Sequence, residues 1–564
     1  MVAPQLTEMP QSASGEKAIQ VDNLRGKRDW WCAFSSSLAV FFTFPPADLW
    51  WLAWFAPLGW LQLIAQPSWN CRRPYWMTYF AGLIHWLLLV HWIRLPHWSA
   101  YFGWFALAGY LACYLPVFIG VTRHLVHRWH WPLVVAAPVV WTGLEYARGY
   151  LLTGFSMSLL GHTQISLLRL VQIADVVGAY GVSFVVMVFA SGIHGLVFRR
   201  QKMRRSLAGM AVATVILILC VVYGHVRINM LTRDSSQSPP LRVALIQGAF
   251  DTQFDGDLER IQRGYFDYVE LSRRAAMDHD ALDLMIWPES MFTGSEPMVT
   301  YDDSMTLAAV PEWNSTLDQL KRRLDEYRDG VQRRLGQVAQ QNDVPMLVGM
   351  EWDHYAGDRS LRYNSAVFLD EAGRVRGRYD KTHPVMFGEY VPFGNWLPWL
   401  YRLTPMSNGL QPGDGPRTFR VGSELIATTI CFENTIPHLV RGHVRELAER
   451  GELPSFLVTI SNDGWFWGSS LLDVHLACGI FRAIELRRPM LIAANTGFSA
   501  AIEATGTVQV KGPRRSEAIL FAEVEPSRER SLYLRFGDWF AATCLVAVVL
   551  GIGGGVWAWR HATC

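Results

Sequence analysis

Long apolar segments are the feature that most constrains what this chain can fold into. A bilayer core about 30 Å thick requires roughly 20 apolar residues in each spanning helix. We predict eight spans, at residues 30–45, 48–66, 75–95, 100–122, 131–147, 178–198, 206–225 and 538–558. The stretch from Leu241 to Phe536 instead has ordinary globular composition. The sequence therefore predicts a membrane domain of helices, with a globular domain inserted before the last span.

Changes in composition divide the chain further. A polar start rich in Ser, Gln and Glu is typical of a disordered tail, and the Ser/Pro stretch Asp234 to Pro240 is typical of a linker. The predicted organisation is a cytoplasmic tail (1–28), a seven-span membrane domain (29–230), a linker (231–240), the globular domain (241–536) and a final span with a short cytoplasmic end (537–564).

Basic residues in alternate connections predict the orientation, because short loops rich in Lys and Arg remain in the cytoplasm. The basic connections contain Arg25, Lys27 and Arg28, then Arg72 and Arg73, then Arg123 and Arg128, and then Arg199, Arg200, Lys202, Arg204 and Arg205. Both termini are therefore expected inside and the globular domain outside. In a bacterial cell, that is the periplasmic face of the inner membrane.

Charge and cysteine content exclude several classes of protein. The net charge of +2 leaves no footprint for nucleic acid. Of eight cysteines, only Cys431 and Cys478 lie in the globular domain, which excludes a disulfide framework. The chain contains no CxxC or HExxH pattern, so we predict no metal and no cofactor.

Three reactive side chains follow predicted strands of the globular domain, which reads as mixed α and β structure. Glu289 follows a strand that ends at Trp287, Lys381 follows Val375 to Asp380, and Cys431 follows Leu425 to Ile430. Alone, each is more often a core thiol or a surface charge. Together, at the ends of rigid strands, a carboxylate, an amine and a thiol can make and break an acyl bond.

The segments around these residues resemble the nitrilase superfamily, in which Glu, Lys and Cys act together on carbonyl or nitrile carbon. The matching segments are WPES at 287–290, YDKTHPVMFGEYVPFG at 379–394, ICFEN at 430–434 and SNDGWF at 461–466. The spans, together with FGEYVPF at 387–393, WTGLEYARGYLLTGF at 141–155 and DVVGAYGVSF at 175–184, resemble the apolipoprotein N-acyltransferases. This resemblance implies an integral membrane α-helical bundle of about eight spans joined to an α-β-β-α sandwich.

The same resemblance implies the reaction and its partners. A fatty acyl chain would pass from a phospholipid, with phosphatidylethanolamine expected, through a cysteine thioester to the N-terminal α-amine of a diacylglyceryl-cysteine apolipoprotein. That is the last step of lipoprotein maturation. One complete set of residues in one chain favours a monomer. The sequence departs from the family at Ser156, Met157, Ala249, Phe250, Asp251 and Phe432, which bears on substrate preference more than on the reaction.

Chemistry assigns a role to each candidate. A thiol and a Glu differ by about 4 pKa units, or roughly 6 kcal/mol, so we expect burial to raise the pKa of Glu289 and the ammonium of Lys381 to lower that of Cys431. Glu289 is then the general base, Cys431 the nucleophile, and Lys381 and the backbone N–H of Phe432 the oxyanion donors. Three further residues are expected to orient Lys381 or assist amine deprotonation: Glu389, Glu433 and Asn364. A structural ion pair with Arg is the alternative for both glutamates.

Apolar residues in the same loops predict an acyl-chain entrance at the bilayer surface, with buried core packing as the rival. These residues are Met386, Phe387, Phe466 and Trp467. Within the membrane half, we expect Glu145 and Arg148 to form a structural pair at a helix end and His85 to be an interfacial side chain.

Three other functions compete with acyl transfer. A membrane-anchored amidase would use water as its second nucleophile, but one anchor would suffice for it. A non-catalytic lipid-binding scaffold would need none of the three reactive residues. A transporter would place polar residues along several spans, where they are sparse.

Overall fold

The computed structural model describes residues 13–199, 203–234, 239–252, 257–279, 281–292, 296–394, 396–404 and 409–562. The amino-terminal half and the extreme carboxyl terminus are helical. The helices are α1 (Ala13–Phe42), α2 (Leu58–Ala65), α3 (Pro74–Leu89), α4 (Ala100–Ala112), α5 (Tyr114–Arg128), α6 (Leu133–Tyr150), α7 (Leu168–Val171), α8 (Ala174–Phe198), α9 (Met203–Asp234) and, at the end of the chain, α15 (Trp539–Ala562).

Three helical stretches in the described part of the chain are long and apolar enough to cross a membrane. They are Ala100–Arg128, formed by α4 and α5, then Ala174–Phe198 and Met203–Arg233. The predicted bundle of eight spans is therefore not confirmed. The segment predicted at 48–66 shows one reason, because it divides into the short turn Trp50–Trp54 and the eight-residue α2, which begins directly after Pro57.

The predicted tail and linker differ from the observed structure. Residues 1–12 of the predicted tail lie outside the described residues, but from Ala13 onward the chain is helical rather than disordered. Likewise, residues 231–234 of the predicted linker continue α9, and residues 235–238 lie outside the described part. Helices α1 and α9 both continue beyond their apolar segments, since neither contains a proline that would end the helix.

The globular domain contains two β-sheets. One has seven strands in the order β13-β1-β2-β4-β5-β6, with β3 added on β4, and the other has six in the order β12-β11-β10-β9-β8-β7. The strands are β1 (Leu241–Gln247), β2 (Leu284–Ile286), β3 (Met298–Tyr301), β4 (Met346–Ala356), β5 (Arg359–Leu369), β6 (Val375–Asp380), β7 (Thr418–Val421), β8 (Glu424–Ile430), β9 (Phe456–Ser461), β10 (Met490–Ala494), β11 (Ala500–Ile502), β12 (Val508–Lys511) and β13 (Ala518–Val524).

Helices cover the outer face of each sheet. The helices are α10 (Leu258–Asp278), α11 (Leu317–Asn342), α12 (Pro437–Glu449), α13 (Leu471–Leu486) and α14 (Leu532–Phe536). The sheets face each other through apolar residues such as Ile286 and Ile426, and α10 and α11 pack on the first sheet through residues such as Tyr268 and Leu335. These layers form the α-β-β-α sandwich that the sequence predicts.

Strand direction brings the ends of several strands to one edge. β2 and β4 run parallel in the first sheet, and β6 is parallel to β4 because β5 is antiparallel to both. In the second sheet, β8 and β9 are parallel. The residues that follow β2, β6, β8 and β9 therefore converge, and Glu289, Lys381, Cys431 and Asn462 are among them.

The second helical layer rests on the membrane half. Apolar residues of α12 and α13, including Val440 and Phe481, belong to the same hydrophobic core as Trp86 and Val186. Buried ion pairs reinforce this contact: the Arg487 guanidinium lies 2.7 Å from the Asp175 carboxylate at the start of α8. The globular domain and the helical half are thus packed against each other through a shared apolar core.

Candidate active site

Glu289 is held rigidly at the end of β2. Its buried carboxylate accepts hydrogen bonds from Asn364 Nδ2 at 2.6 Å, the Asn462 backbone N–H at 2.8 Å and Lys381 Nζ at 3.3 Å. Behind it, a Cβ added to Gly349 would lie only 2.6 Å from the Glu289 Cα, so this strand residue must be glycine for the backbones to approach. The carboxylate therefore has one defined position.

Lys381 lies between two carboxylates. Its side chain is 1% exposed, and Nζ donates to Glu389 at 2.6 Å as well as to Glu289. Burial by itself lowers the pKa of Lys381, but the charges of Glu389 and Glu289 outweigh burial and hold the pKa well above its ordinary value. Lys381 is therefore a fixed ammonium.

Cys431 follows β8 in a left-handed backbone conformation, with φ at +54°. Non-glycine residues seldom adopt this conformation, which projects the thiol from the short turn Cys431–Thr435. Burial raises the pKa of Cys431 well above its usual range, and Glu289 raises it further, while Lys381 only partly opposes them. Lys381 thus lowers the pKa of the thiol, as expected, but burial and the carboxylates outweigh its effect and the net shift is upward.

Glu433 makes different contacts from those expected. It is fully buried and accepts hydrogen bonds from the backbone N–H of Ile430 at 2.7 Å and of Thr382 at 2.7 Å. The Tyr379 hydroxyl donates to the same carboxylate. Among the described residues, it contacts neither Lys381 nor an arginine. Glu433 instead ties the segment after Lys381 to the strand before Cys431, so its contribution to the site is to position both.

Sequence reasoning missed several residues beside these three. Asn462 donates through its backbone to Glu289, and the buried Asp463 carboxylate lies 3.0 Å from His475 Nδ1. Asp463 also acts electrostatically on Cys431. The signal for these residues is the SNDGWF segment at 461–466, in which only Phe466 has a predicted role. In the described part of the chain, no group of three His, Cys, Asp or Glu side chains is arranged to hold a metal ion.

The residues predicted to form an acyl entrance divide into two groups. The Phe387 and Trp467 side chains are 58% and 44% exposed, whereas Met386 is half-buried. Phe466 packs edge-on against Trp92 of the membrane half, with ring centroids 5.6 Å apart. Phe466 therefore packs in the core, whereas Phe387 and Trp467 form exposed apolar surface.

The membrane-half predictions also require correction. Glu145 and Arg148 are both buried, but in the described structure no ion pair joins them, because each bonds to the loop after α6 instead. His85 is buried rather than interfacial, and its Nδ1 lies 3.1 Å from the Ser37 carbonyl oxygen.

This arrangement suits acyl chemistry. The Cys431 thiol can serve as a nucleophile, Glu289 can accept its proton, and the Lys381 ammonium can stabilise an oxyanion. Phe432, whose backbone N–H is the other predicted oxyanion donor, directly follows Cys431. Its ring is stacked with the His383 ring, and the two ring centroids are 6.1 Å apart. The site contains the groups needed to form and discharge a thioester.

Comparisons with known proteins give the family. Residues 36–192 match the apolipoprotein N-acyltransferase N-terminal domain, and residues 242–533 match the carbon-nitrogen hydrolase domain. An apolipoprotein N-acyltransferase of Geobacter metallireducens is 31% identical over 93% of this chain and 94% of its own. One of Rhodopirellula baltica is 29% identical over 94% and 98%. An amidase structure from Nesterenkonia sp. covers 51% of this chain and 92% of its own at 14% identity, and its TM-score of 0.34 adds nothing to the assignment. The chain belongs to the apolipoprotein N-acyltransferase family and is an acyltransferase with a carbon-nitrogen hydrolase catalytic domain.

Proposed function

We propose that this enzyme transfers a fatty acyl chain from a phospholipid to the N-terminal α-amine of a diacylglyceryl-cysteine apolipoprotein, through a thioester on Cys431. The observation that carries the proposal is the contact between the site and the membrane half. Phe432, next to the nucleophile, and Phe466 both pack against the hydrophobic core that contains Trp86 and Trp92. A lipid ester held among the helices would thus meet Cys431 at the boundary between the two halves.

In the first half-reaction, Glu289 takes the thiol proton as Cys431 attacks the ester carbonyl. Because the pKa of the resting thiol is raised, proton transfer accompanies the attack and does not precede it. The tetrahedral oxyanion is stabilised by Lys381 and by the backbone N–H of Phe432. The carbon–oxygen bond then breaks, and the departing alkoxide takes the proton from Glu289. A lyso-phospholipid leaves, and the thioester remains.

In the second half-reaction, the free α-amine of the apolipoprotein attacks the thioester. Glu289 accepts a proton from the amine, the carbon–sulfur bond breaks, and Glu289 gives that proton to the departing thiolate of Cys431. Because an amide is more stable than the ester consumed, no nucleotide is required. Glu389 holds the Lys381 ammonium at 2.6 Å in both half-reactions.

The setting follows from the same proposal. The enzyme acts as a monomer in the bacterial inner membrane, with eight spans and the catalytic domain on the periplasmic side. Supporting this topology are the alternating basic loops and the three helices that meet the length and composition of a span. Phosphatidylethanolamine is the proposed acyl donor. Exposed Phe387 and Trp467 form the proposed entrance for the acyl chain.

The experiment is intact-mass spectrometry of the detergent-purified enzyme after incubation with phosphatidylethanolamine. We expect an added fatty-acyl mass that a Cys431→Ala variant lacks and that a diacylglyceryl-cysteine peptide removes. Discharge mainly by water would instead support a membrane-anchored amidase. If several phospholipids leave the folded enzyme unmodified, the non-catalytic lipid-binding scaffold would be favoured.

A further inference from the structure

The turn after β9 places a further buried carboxylate beside the nucleophile. Strands β8 and β9 are adjacent and parallel, so the residues that follow them emerge side by side at one edge of the sheet. Cys431 directly follows β8, and Asp463 is the second residue after β9. Asp463 is only 2% exposed. Its carboxylate therefore belongs to the surroundings of the thiol, although the acyl transfer proposed above gives it no role.

Charged side chains around Cys431 act on its thiol in two directions. Burial is the main cause of the raised pKa of Cys431, and the charges of Glu289, Asp463 and Glu389 raise this pKa further. The Lys381 ammonium lowers it. Because a nearby negative charge disfavours the thiolate, a group that offsets the charge of Asp463 makes the thiolate easier to form.

Two donors hold the Asp463 carboxylate. The Ser461 hydroxyl donates to Oδ1 at 2.9 Å, and His475 Nδ1 lies 3.0 Å from the same oxygen. Because an ionised carboxylate can only accept, Nδ1 of His475 carries the proton of this contact. On the other side, a Cβ added to Gly497 would collide with Asp463 Oδ2, so the backbone encloses that oxygen closely. The carboxylate therefore has one defined position.

The histidine reaches this carboxylate from α13. This helix packs on the turn Cys431–Thr435, and its residue Phe481 also belongs to the core shared with the membrane half. Asp473, in the first turn of α13, is paired with Arg514 at 2.6 Å. His475 is thus the side chain by which α13 acts on the charge beside the thiol.

We infer that His475 is a positioning residue for the nucleophile: its Nδ1–H fixes the Asp463 carboxylate and offsets the charge that this carboxylate presents to Cys431. The inference deepens the proposed function and rests on it only in taking Cys431 as the nucleophile. It adds to the site a histidine that acts through Asp463.

The general base has separate supports. Asn462 donates its backbone N–H to Glu289 at 2.8 Å. The Asn462 side chain is held through Oδ1, which accepts from Asn495 Nδ2 at 3.0 Å and from Thr252 Oγ1 at 3.1 Å. These contacts remain when the hydrogen bond of His475 is lost. The effect of His475 is therefore expected on the thiol rather than on the base.

The test measures alkylation of Cys431 by iodoacetamide in the full-length enzyme, in detergent and without lipid substrate. At pH 8.5, below the raised pKa of Cys431, the rate follows the thiolate fraction. His475→Leu should slow alkylation about threefold, because the charge of Asp463 is no longer offset. A histidine that only supported the fold would give the opposite result, since a loosened site exposes the thiol and speeds alkylation.

Three further variants separate the hydrogen bond from other effects. His475→Asn, whose side-chain amide can also donate to Asp463, should keep the native rate. Asp463→Asn should speed alkylation, and His475→Leu added to it should change nothing more. His354→Leu is the matched control: it loses a contact of equal length, 3.0 Å to Thr300 Oγ1, and should leave alkylation unchanged.

Faster alkylation of His475→Leu would overturn the inference. So would an equal slowing by His475→Asn, or by His475→Leu when Asp463 is already Asn. Alkylation requires no lipid, whereas acyl-enzyme formation from phosphatidylethanolamine tests the catalytic proposal. Failure of the inference and failure of the proposed function can therefore be told apart.

Discussion

At the scale of single residues, the site consists of charged groups placed around the Lys381 ammonium, and these groups act on the pKa of the Cys431 thiol. Lys381 lies between Glu389 and Glu289, and Cys431 lies within the field of all three. The carboxylates keep Lys381 protonated, whereas burial, and after it the charge of Glu289, raises the pKa of the Cys431 thiol. In the proposed mechanism, the thiol is therefore neutral at rest and loses its proton as it attacks the substrate carbonyl.

Reactivity of the thiol tests this view. Because the pKa of Cys431 is raised, its alkylation by iodoacetamide should still increase as pH passes 8.5, the ordinary thiol value, with no plateau there. The rate is measured by peptide mass spectrometry between pH 6 and pH 10 without substrate. A plateau at or below about pH 8.5 would mean that Lys381 dominates after all.

Removal of one carboxylate tests the positioning of Lys381. Glu389→Gln should slow acyl-enzyme formation about 10²-fold, because the ammonium loses the charge that fixes its distance from the oxyanion. Single-turnover rates with phosphatidylethanolamine measure the effect. Glu371→Gln, on the exposed surface, is the control and should be neutral. An unchanged rate for Glu389→Gln would assign Glu389 a structural role only.

At the scale of strands and turns, the placement of the reactive groups at strand ends can largely be predicted from the sequence. Alternation of apolar runs predicts strands that end beside Glu289, Lys381 and Cys431, and the structure has β2, β6 and β8 there. Hydrogen bonds between residues far apart in the sequence cannot be predicted in this way. The role of Glu433 depends partly on the backbone N–H groups of Thr382 and His383, which lie 51 and 50 residues away in sequence. No local pattern indicates that these N–H groups will approach the Glu433 carboxylate.

A glycine in β4 tests how closely the strands must approach. Gly349→Ala should destabilise the fold by about 1–3 kcal/mol and reduce acyl-enzyme formation, because the new methyl meets the Glu289 backbone. Gly330→Ala in α11 is the matched control: its added Cβ meets no atom within 4 Å, so a small gain in stability is expected. Thermal unfolding of both variants in detergent makes the comparison. Equal midpoints would show that the close approach is unimportant.

At the scale of the whole molecule, several polar contacts join the globular domain to the helices. Among them, Arg487 pairs with Asp175 at the start of α8, which also pairs with Arg227 of α9, and Glu485 accepts the Ala179 backbone N–H at 2.9 Å. Counting apolar residues alone predicted eight similar spans. The observed helices of that half differ widely in length, from four residues in α7 to 32 in α9.

Loss of one buried partner should loosen this junction. Arg487→Met leaves Asp175 with Arg227 and Tyr223, so the cost should stay below the roughly 3–5 kcal/mol of a buried charge left without any partner. Thermal inactivation in detergent should therefore occur at a lower temperature. Arg528→Met removes an exposed guanidinium from Glu424 and should cost about 1 kcal/mol or less. Similar inactivation of the two variants would count against a rigid junction.

Acyl transfer from lipid to amine is the central claim, and the product tests it most directly. Phosphatidylethanolamine with deuterated acyl chains is incubated with the enzyme and a diacylglyceryl-cysteine peptide, and the peptide is analysed by tandem mass spectrometry. We predict one deuterated acyl group on the peptide α-amine, absent with Cys431→Ala. Release of deuterated free fatty acid with an unmodified peptide would contradict the account and identify a hydrolase.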